Sequence, residues 1–170
     1  MLVTREADYA VRCVVEVARA GRTSAAQVAR VQGISPTFLG KIVQSLARAG
    51  ILATRRGVGG GISLARAVED ITLLQVIEAV EGTLCINDCL QTPPNCEHIH
   101  ACPAYPYLAA AQLQLRETLD VSVATLIETS EREPVFAPAV ATMAEVSGNG
   151  QGNGQRRRAR TADPAAGRDR

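Results

Sequence analysis

"VARVQGISPTFLGKIVQSLARAGILATRRGVGGGISLAR", residues 28–66, changes its periodicity once and its punctuation several times. Its first residues belong to a short helical segment that Gly33 stops. Ser35 then suits an N-cap and Pro36 the first helical position, while Leu39, Ile42, Val43 and Leu46 recur at the spacing of one helix face until Gly50 closes the element. Two helices joined by a Gly-containing turn of about three or four residues read as a helix-turn-helix. After Gly50 the pattern shortens: "ILATRR" reads as a strand, "GVGGG" as a turn and "ISLAR" as a returning strand. The whole stretch predicts a winged helix-turn-helix with a β-hairpin wing.

Outward from it the chain is mainly α. Upstream, Ala7, Ala10, Val11, Val14, Val15 and Ala18 make an amphipathic helix from Thr4 to Ala20 with Gly21 as its stop, and Ser24 and Gln27 have capping-box spacing before the second helix. Downstream, Thr72 and Gln75 repeat that spacing ahead of a fourth helix ending near Gly82. "YLAAAQLQLRETL" and "SVATLIET" then predict a long helical stretch outside the winged unit. Its stripe of Leu108, Ala111, Leu115 and Leu119 lacks a partner helix in the chain, which points to a homodimer. Residues 131–170 are polar, Gly-rich and Arg-rich and read as a disordered tail, whose "RRRAR" is a solvated run with at most weak affinity for DNA. The expected division is a winged unit over 1–82, a cysteine loop over 83–103, a dimerisation region over 104–130 and the tail.

The net charge of +1 hides an uneven distribution. From Arg19 to Arg66 there are eight basic residues and no Asp or Glu. Without interleaved acids this run is not a salt-bridged helix surface, and it favours a polyanion, most simply double-stranded DNA. In a helix-turn-helix the start of the second helix meets base edges, which singles out Ser35, Pro36, Thr37 and Phe38. Lys41 and Arg48 suit phosphates. Arg55 and Arg56, followed by Gly57 and Gly59, suit the backbone or a narrow minor groove beside the wing. Phe38 has a second reading as core, and a winged helix can also dock proteins. No nucleophile elbow, phosphate loop or other catalytic constellation is present, so an enzyme is not expected.

"CINDCLQTPPNCEHIHAC", residues 85–102, gathers four of five cysteines and both histidines. The N-terminus shows no apolar signal region, and nowhere do 18 uncharged apolar residues run together, so a cytoplasmic protein without a membrane span is expected. In a reducing cytosol clustered cysteines favour a metal or redox role over disulfides. Iron–sulfur coordination is one reading; structural zinc is the other, although only Cys85 and Cys89 have the close pairing zinc motifs use twice. Cys13, inside the first helix, reads as a small buried side chain.

"MLVTREADYAVR", the 28–66 stretch, "ITLLQVIEAVEG" and the cysteine loop together resemble the Rrf2 family of bacterial winged-helix transcriptional regulators, which includes IscR, NsrR and RirA, over about residues 1–130. The resemblance implies a dimeric repressor or activator on a palindromic operator, with DNA affinity set by a 2Fe-2S or 4Fe-4S cluster that senses nitric oxide, redox state or iron and cluster supply. The family's three-cysteine loop falls on Cys89, Cys96 and Cys102, with six and then five residues between them. Some relatives place a fourth ligand, a histidine, where this chain has Tyr105. In others an aspartate lent by the partner subunit's first helix matches Asp8, with Cys85, His98 and His100 as local alternatives.

Overall fold

The computed structural model describes residues 4–57 and 59–131. The chain runs α1 (Arg5–Ala20), β1 (Arg22–Thr23), α2 (Ala25–Gln32), α3 (Pro36–Arg48), β2 (Leu52–Arg55), β3 (Gly61–Leu64), α4 (Leu73–Glu81), α5 (Tyr105–Leu119) and α6 (Val123–Glu131). Short 3-10 turns precede α4 at Val68–Asp70 and lie in the cysteine loop at Asp88–Leu90. The mainly helical winged architecture expected from the sequence is what the chain adopts.

Local chemistry sets the helix ends. The Thr4 hydroxyl accepts the Glu6 N–H at 3.0 Å, and Ser24 accepts that of Gln27 at 3.1 Å, each satisfying an orphan donor of a first turn. At α4 the box is complete: Thr72 accepts from Gln75 N–H at 3.3 Å while the Gln75 side chain accepts the Thr72 N–H at 3.4 Å. Pro36 occupies the first turn of α3 as expected, and Ser35 takes the cap position, but its side chain makes no capping bond. The Ser35 hydroxyl is therefore not consumed by the helix. Gly33 ends α2 in the left-handed region, at φ 65° and ψ 31°, and this lets the chain turn within three residues into α3.

The core is aliphatic. Ala10, Cys13, Val14 and Val17 of α1 meet Val28 and Ala29 of α2, Leu39, Ile42 and Leu46 of α3, Ile51, Leu52 and Ile62 of the wing base, and Val76 of α4. Tyr9 and Phe38 cap it at one side, ring edge to face, with centroids 5.8 Å apart.

The wing is a three-stranded antiparallel sheet in the order β1-β3-β2, not the isolated hairpin expected from the sequence. β1 is two residues long: Arg22 pairs with Ser63 and Thr23 with Ile62. Gly61 permits that pairing, because a Cβ there would sit 2.5 Å from the Thr23 carbonyl oxygen. The long C-terminal helical stretch also differs from expectation. It is two helices, broken at residues 120–122, and the second returns to the winged unit instead of lying outside it. Leu73 N–H donates to Val121 O and Val123 N–H to Ile71 O, both at 2.8 Å, and Val123 is 1% exposed within the core. The break follows from that pairing, which needs extended backbone at residues whose propensity alone would allow helix. Glu131, the first residue of the expected tail, closes α6, and the rest of that tail lies outside the described residues.

Truncating Leu39, which is fully buried, to Ala should cost about 2–5 kcal/mol in urea unfolding, whereas Val31→Ala, on the exposed face of α2, should stay within about 0.5 kcal/mol. Burial, with a smaller contribution from Glu16, pushes the Cys13 thiol up to about 12 from an ordinary 9.0. The folded state holds this thiol neutral, so its contribution is present below pH 9 and is lost as pH rises toward 12, while the unfolded chain ionises first. Unfolding midpoints between pH 9 and 11 should therefore fall less steeply in Cys13→Ala than in the parent chain.

Candidate nucleic-acid interface and cysteine loop

Two regions carry chemistry. The first lies around the start of α3 and the wing. Ser35, Pro36, Thr37 and Lys41 are exposed, so the first two turns of α3 present a free cap hydroxyl, a second hydroxyl and an ammonium group to solvent. Phe38 is half-buried, packed against the core and edge-on to Tyr9, which ties the start of α3 to α1 and leaves only part of the ring outward. Arg48, at the far end of α3, donates to Ser45 Oγ at 3.1 Å and remains exposed.

In the wing the side chains of Arg55 and Arg56 are exposed and make no hydrogen bond or ion pair with any described residue, nor does that of Lys41. Gly57 and Gly59 flank the tip, where the Gly60 N–H closes a turn on the Gly57 carbonyl at 2.9 Å. A Cβ at Gly60 would meet the Arg55 carbonyl oxygen at 2.3 Å, so the turn folds flat against its own strand. Arg22 reaches across from β1 and donates to the Gly59 carbonyl at 3.3 Å, steadying the tip from the side. Sequence reasoning counted Arg22 only as charge, because a two-residue strand leaves no periodic signal.

Not every base of the acid-free run is available to a partner. Arg66 donates to Gly50 O at 3.2 Å, Asp70 O at 3.3 Å and Gln75 Oε1 at 3.0 Å, fastening the wing base to the start of α4. Its role is structural, and only the folded chain reveals it. Arg30 donates to Gln27 Oε1 at 2.7 Å, and Arg19 donates to Ser130 at the end of α6.

The second region is the segment between α4 and α5. All five cysteines are free thiols; Cys13 is buried in α1 as expected. Cys89 sits in the short turn Asp88–Leu90 and is 7% exposed, Cys96 and Cys102 are half-buried, and His98 and His100 are exposed. The Cys85 thiol donates to the Leu90 carbonyl at 3.5 Å. Three soft donors on one irregular segment suit an iron–sulfur cluster chemically. Among the described residues, however, no three Cys, His, Asp or Glu side chains gather around one point. A cluster held by Cys89, Cys96 and Cys102 would require the three thiols to converge. Asp8 is exposed on α1 and pairs at 3.5 Å with Arg12, which in turn donates to Gln32 Oε1 at 3.0 Å and Gln32 O at 2.6 Å.

On α5, Leu108, Leu115 and Leu119 of the expected stripe are half-buried and Ala111 is exposed, while Tyr107 and Leu113 are 78% and 63% exposed. No helix of the described residues is long and apolar enough to cross a membrane.

Comparison with known proteins agrees with this geometry. The chain is 34% identical over 105 residues to Protein aau3 of Rhizobium meliloti, covering 60% of this chain and 68% of that one. It is 36% identical over 89 residues to the HTH-type transcriptional regulator IscR of Cereibacter sphaeroides, covering 49% of this chain and 57% of the relative. Among solved structures, T. potens IscR superposes with a TM-score of 0.59 at 23% identity, over 82% of this chain and 95% of that one, and shares the fold. The relatives and neighbours with a described role are transcriptional regulators, not enzymes. The model of the Rrf2 family, described as an iron-dependent transcriptional regulator, matches residues 3–147, and the chain belongs to this family of DNA-binding regulators.

Proposed function

We propose that the chain is a homodimeric transcriptional regulator whose affinity for a palindromic operator is set by an iron–sulfur cluster on Cys89, Cys96 and Cys102. The observation that carries this reading is the position of the cysteine segment: it directly joins α4, which packs on α1 of the winged unit, to α5, whose outer face exposes Tyr107 and Leu113. On this reading residues 1–82 read DNA, 83–103 hold the cluster and α5 forms the dimer contact. The name of the IscR relative supports a regulatory role.

Each part has a physical task. Thr37 and Ser35 offer hydroxyls to base edges or phosphates, and Lys41, Arg55 and Arg56 neutralise phosphates. Burial of Tyr107 and Leu113 across a two-fold axis sets the separation of two identical units, so half-sites lie about one helical turn apart or a multiple of it. When bound, a cluster supplies a centre that responds to oxidants, nitric oxide or iron supply. Thiolates of Cys89, Cys96 and Cys102 would hold it, with Asp8 of a partner subunit as the fourth ligand once its carboxylate leaves Arg12. Gathering these ligands orders residues 91–103 and ties the segment to α1. A cluster changes DNA affinity only through unequal affinity for the two arrangements, and coupling of this kind amounts to about five- to 150-fold.

The anaerobically purified chain should be brown and carry iron and sulfide, and Cys→Ser at 89, 96 or 102 should bleach it; a colourless protein with stoichiometric zinc would instead support a structural-zinc winged helix. Operator affinity of cluster-loaded and cluster-free protein, measured at one fixed salt concentration, should differ; equal values at every operator tested would end the sensor reading. Arg56→Ala should weaken all duplexes alike and make the slope of log K against log salt shallower by about 0.9 for each phosphate it leaves unneutralised, while Thr37→Ala should relax sequence preference without that change of slope.

A further inference from the structure

The entry of the cysteine segment is held by side chains from both neighbouring helices. Gln112 of α5 is 8% exposed and uses both ends of its amide on backbone: Nε2 donates to Leu84 O at 2.6 Å and Oε1 accepts the Ile86 N–H at 2.9 Å. These two groups flank Cys85, so the amide takes the place a neighbouring strand would take in a parallel ladder. The Leu84 N–H donates in turn to Glu78 Oε1 of α4 at 3.0 Å, and the same oxygen accepts from Arg116 Nη1 of α5 at 2.6 Å. Residues 84–86, α4 and α5 thus form one closed network.

Past Cys89 the character changes. The backbone bonds there are local, from Gln91 and Asn95 N–H to Asp88 O and from Ala101 N–H to His98 O, and Thr92, Pro93, Pro94 and Asn95 are all exposed. A force applied to the segment is absorbed where the bonds are weakest and transmitted where they are strongest. We propose that Gln112 is a positioning residue that locks the entry of the cysteine segment to α5, so that drawing Cys96 and Cys102 toward Cys89 moves this network as one unit instead of slackening residues 84–86. This inference rests on the cluster reading above. It adds the route by which the segment acts on α5.

The test compares the full chain with Gln112→Met, which keeps the length and loses both amide bonds, and with Gln114→Met, an exposed position on the same helix. In reduced, metal-free protein, alkylation of Cys85 followed by mass spectrometry should be at least about tenfold faster in Gln112→Met and unchanged in Gln114→Met, since one buried and one half-buried backbone group lose their partner. The ratio of operator affinities between cluster-loaded and cluster-free forms should collapse toward one in Gln112→Met and persist in Gln114→Met. Loss of general stability alone would lower both affinities and leave their ratio intact. Should Gln112→Met fail to fold, Arg116→Met, at a half-buried position of the same network, should reduce the ratio in the same direction. Full coupling in Gln112→Met, or in Arg116→Met where that variant decides, overturns the relay and spares the sensor reading. A ratio of one in the parent chain overturns both.

Discussion

The structure depends on one face of α1. Ala7, Ala10, Cys13, Val14 and Val17 are all fully buried, and their small or β-branched side chains let helices and strands approach from several directions. α4 lies against this helix, α2 and α3 cross it, β3 borders it and α6 returns to it. With aromatic residues at 3% of the sequence, no large ring fills gaps at the centre, so close approach of backbones has to do that work. A bulky residue at Ala10 would push apart α1 and α4 before it could find space elsewhere.

Given that pillar, the exposed chemistry follows from what cannot be buried. The apolar face of α3 turns toward α1, and its first turn is left at the surface with the Ser35 and Thr37 hydroxyls uncommitted. The wing is aligned by pairing of β1 with β3, and β1 follows α1 with only Gly21 between. Both parts of the candidate DNA-facing surface are therefore referenced to the same helix. Arg66 serves this alignment by bonding the wing base to the start of α4, while Lys41, Arg55 and Arg56 keep their charges outward.

Much of this was legible in the sequence because it is locally specified. The caps at Ser24 and Thr72, Pro36 in the first turn of α3 and the spacing of Leu39, Ile42, Val43 and Leu46 are decided within a few residues, and the folded chain keeps them. Features specified by distant partners were not legible. β1 exists because Gly61 leaves room for the Thr23 carbonyl, and residues 120–122 leave helical geometry because Ile71 and Leu73 offer strand partners there. Gln112 sits in "LAAAQLQL" like any surface glutamine, and its burial depends on backbone groups 26 and 28 positions away. Of the cysteine segment, the residue types and spacing were legible, but the position of each sulfur relative to the next is a property of the folded loop.

The short pairing of Thr72 with Ser122 brings together the two ends of a 49-residue excursion that contains α4, the cysteine segment and α5. Because the chain leaves and re-enters at one place, residues of the excursion beyond α4, which itself packs on α1, can be lengthened, shortened or replaced without altering the path of the chain through α1, α2, α3 and the wing. In evolutionary terms this is a cassette boundary: the winged unit and the cysteine-bearing segment can diversify at separate rates, and a lineage could exchange the chemistry of that segment while keeping the winged unit unchanged.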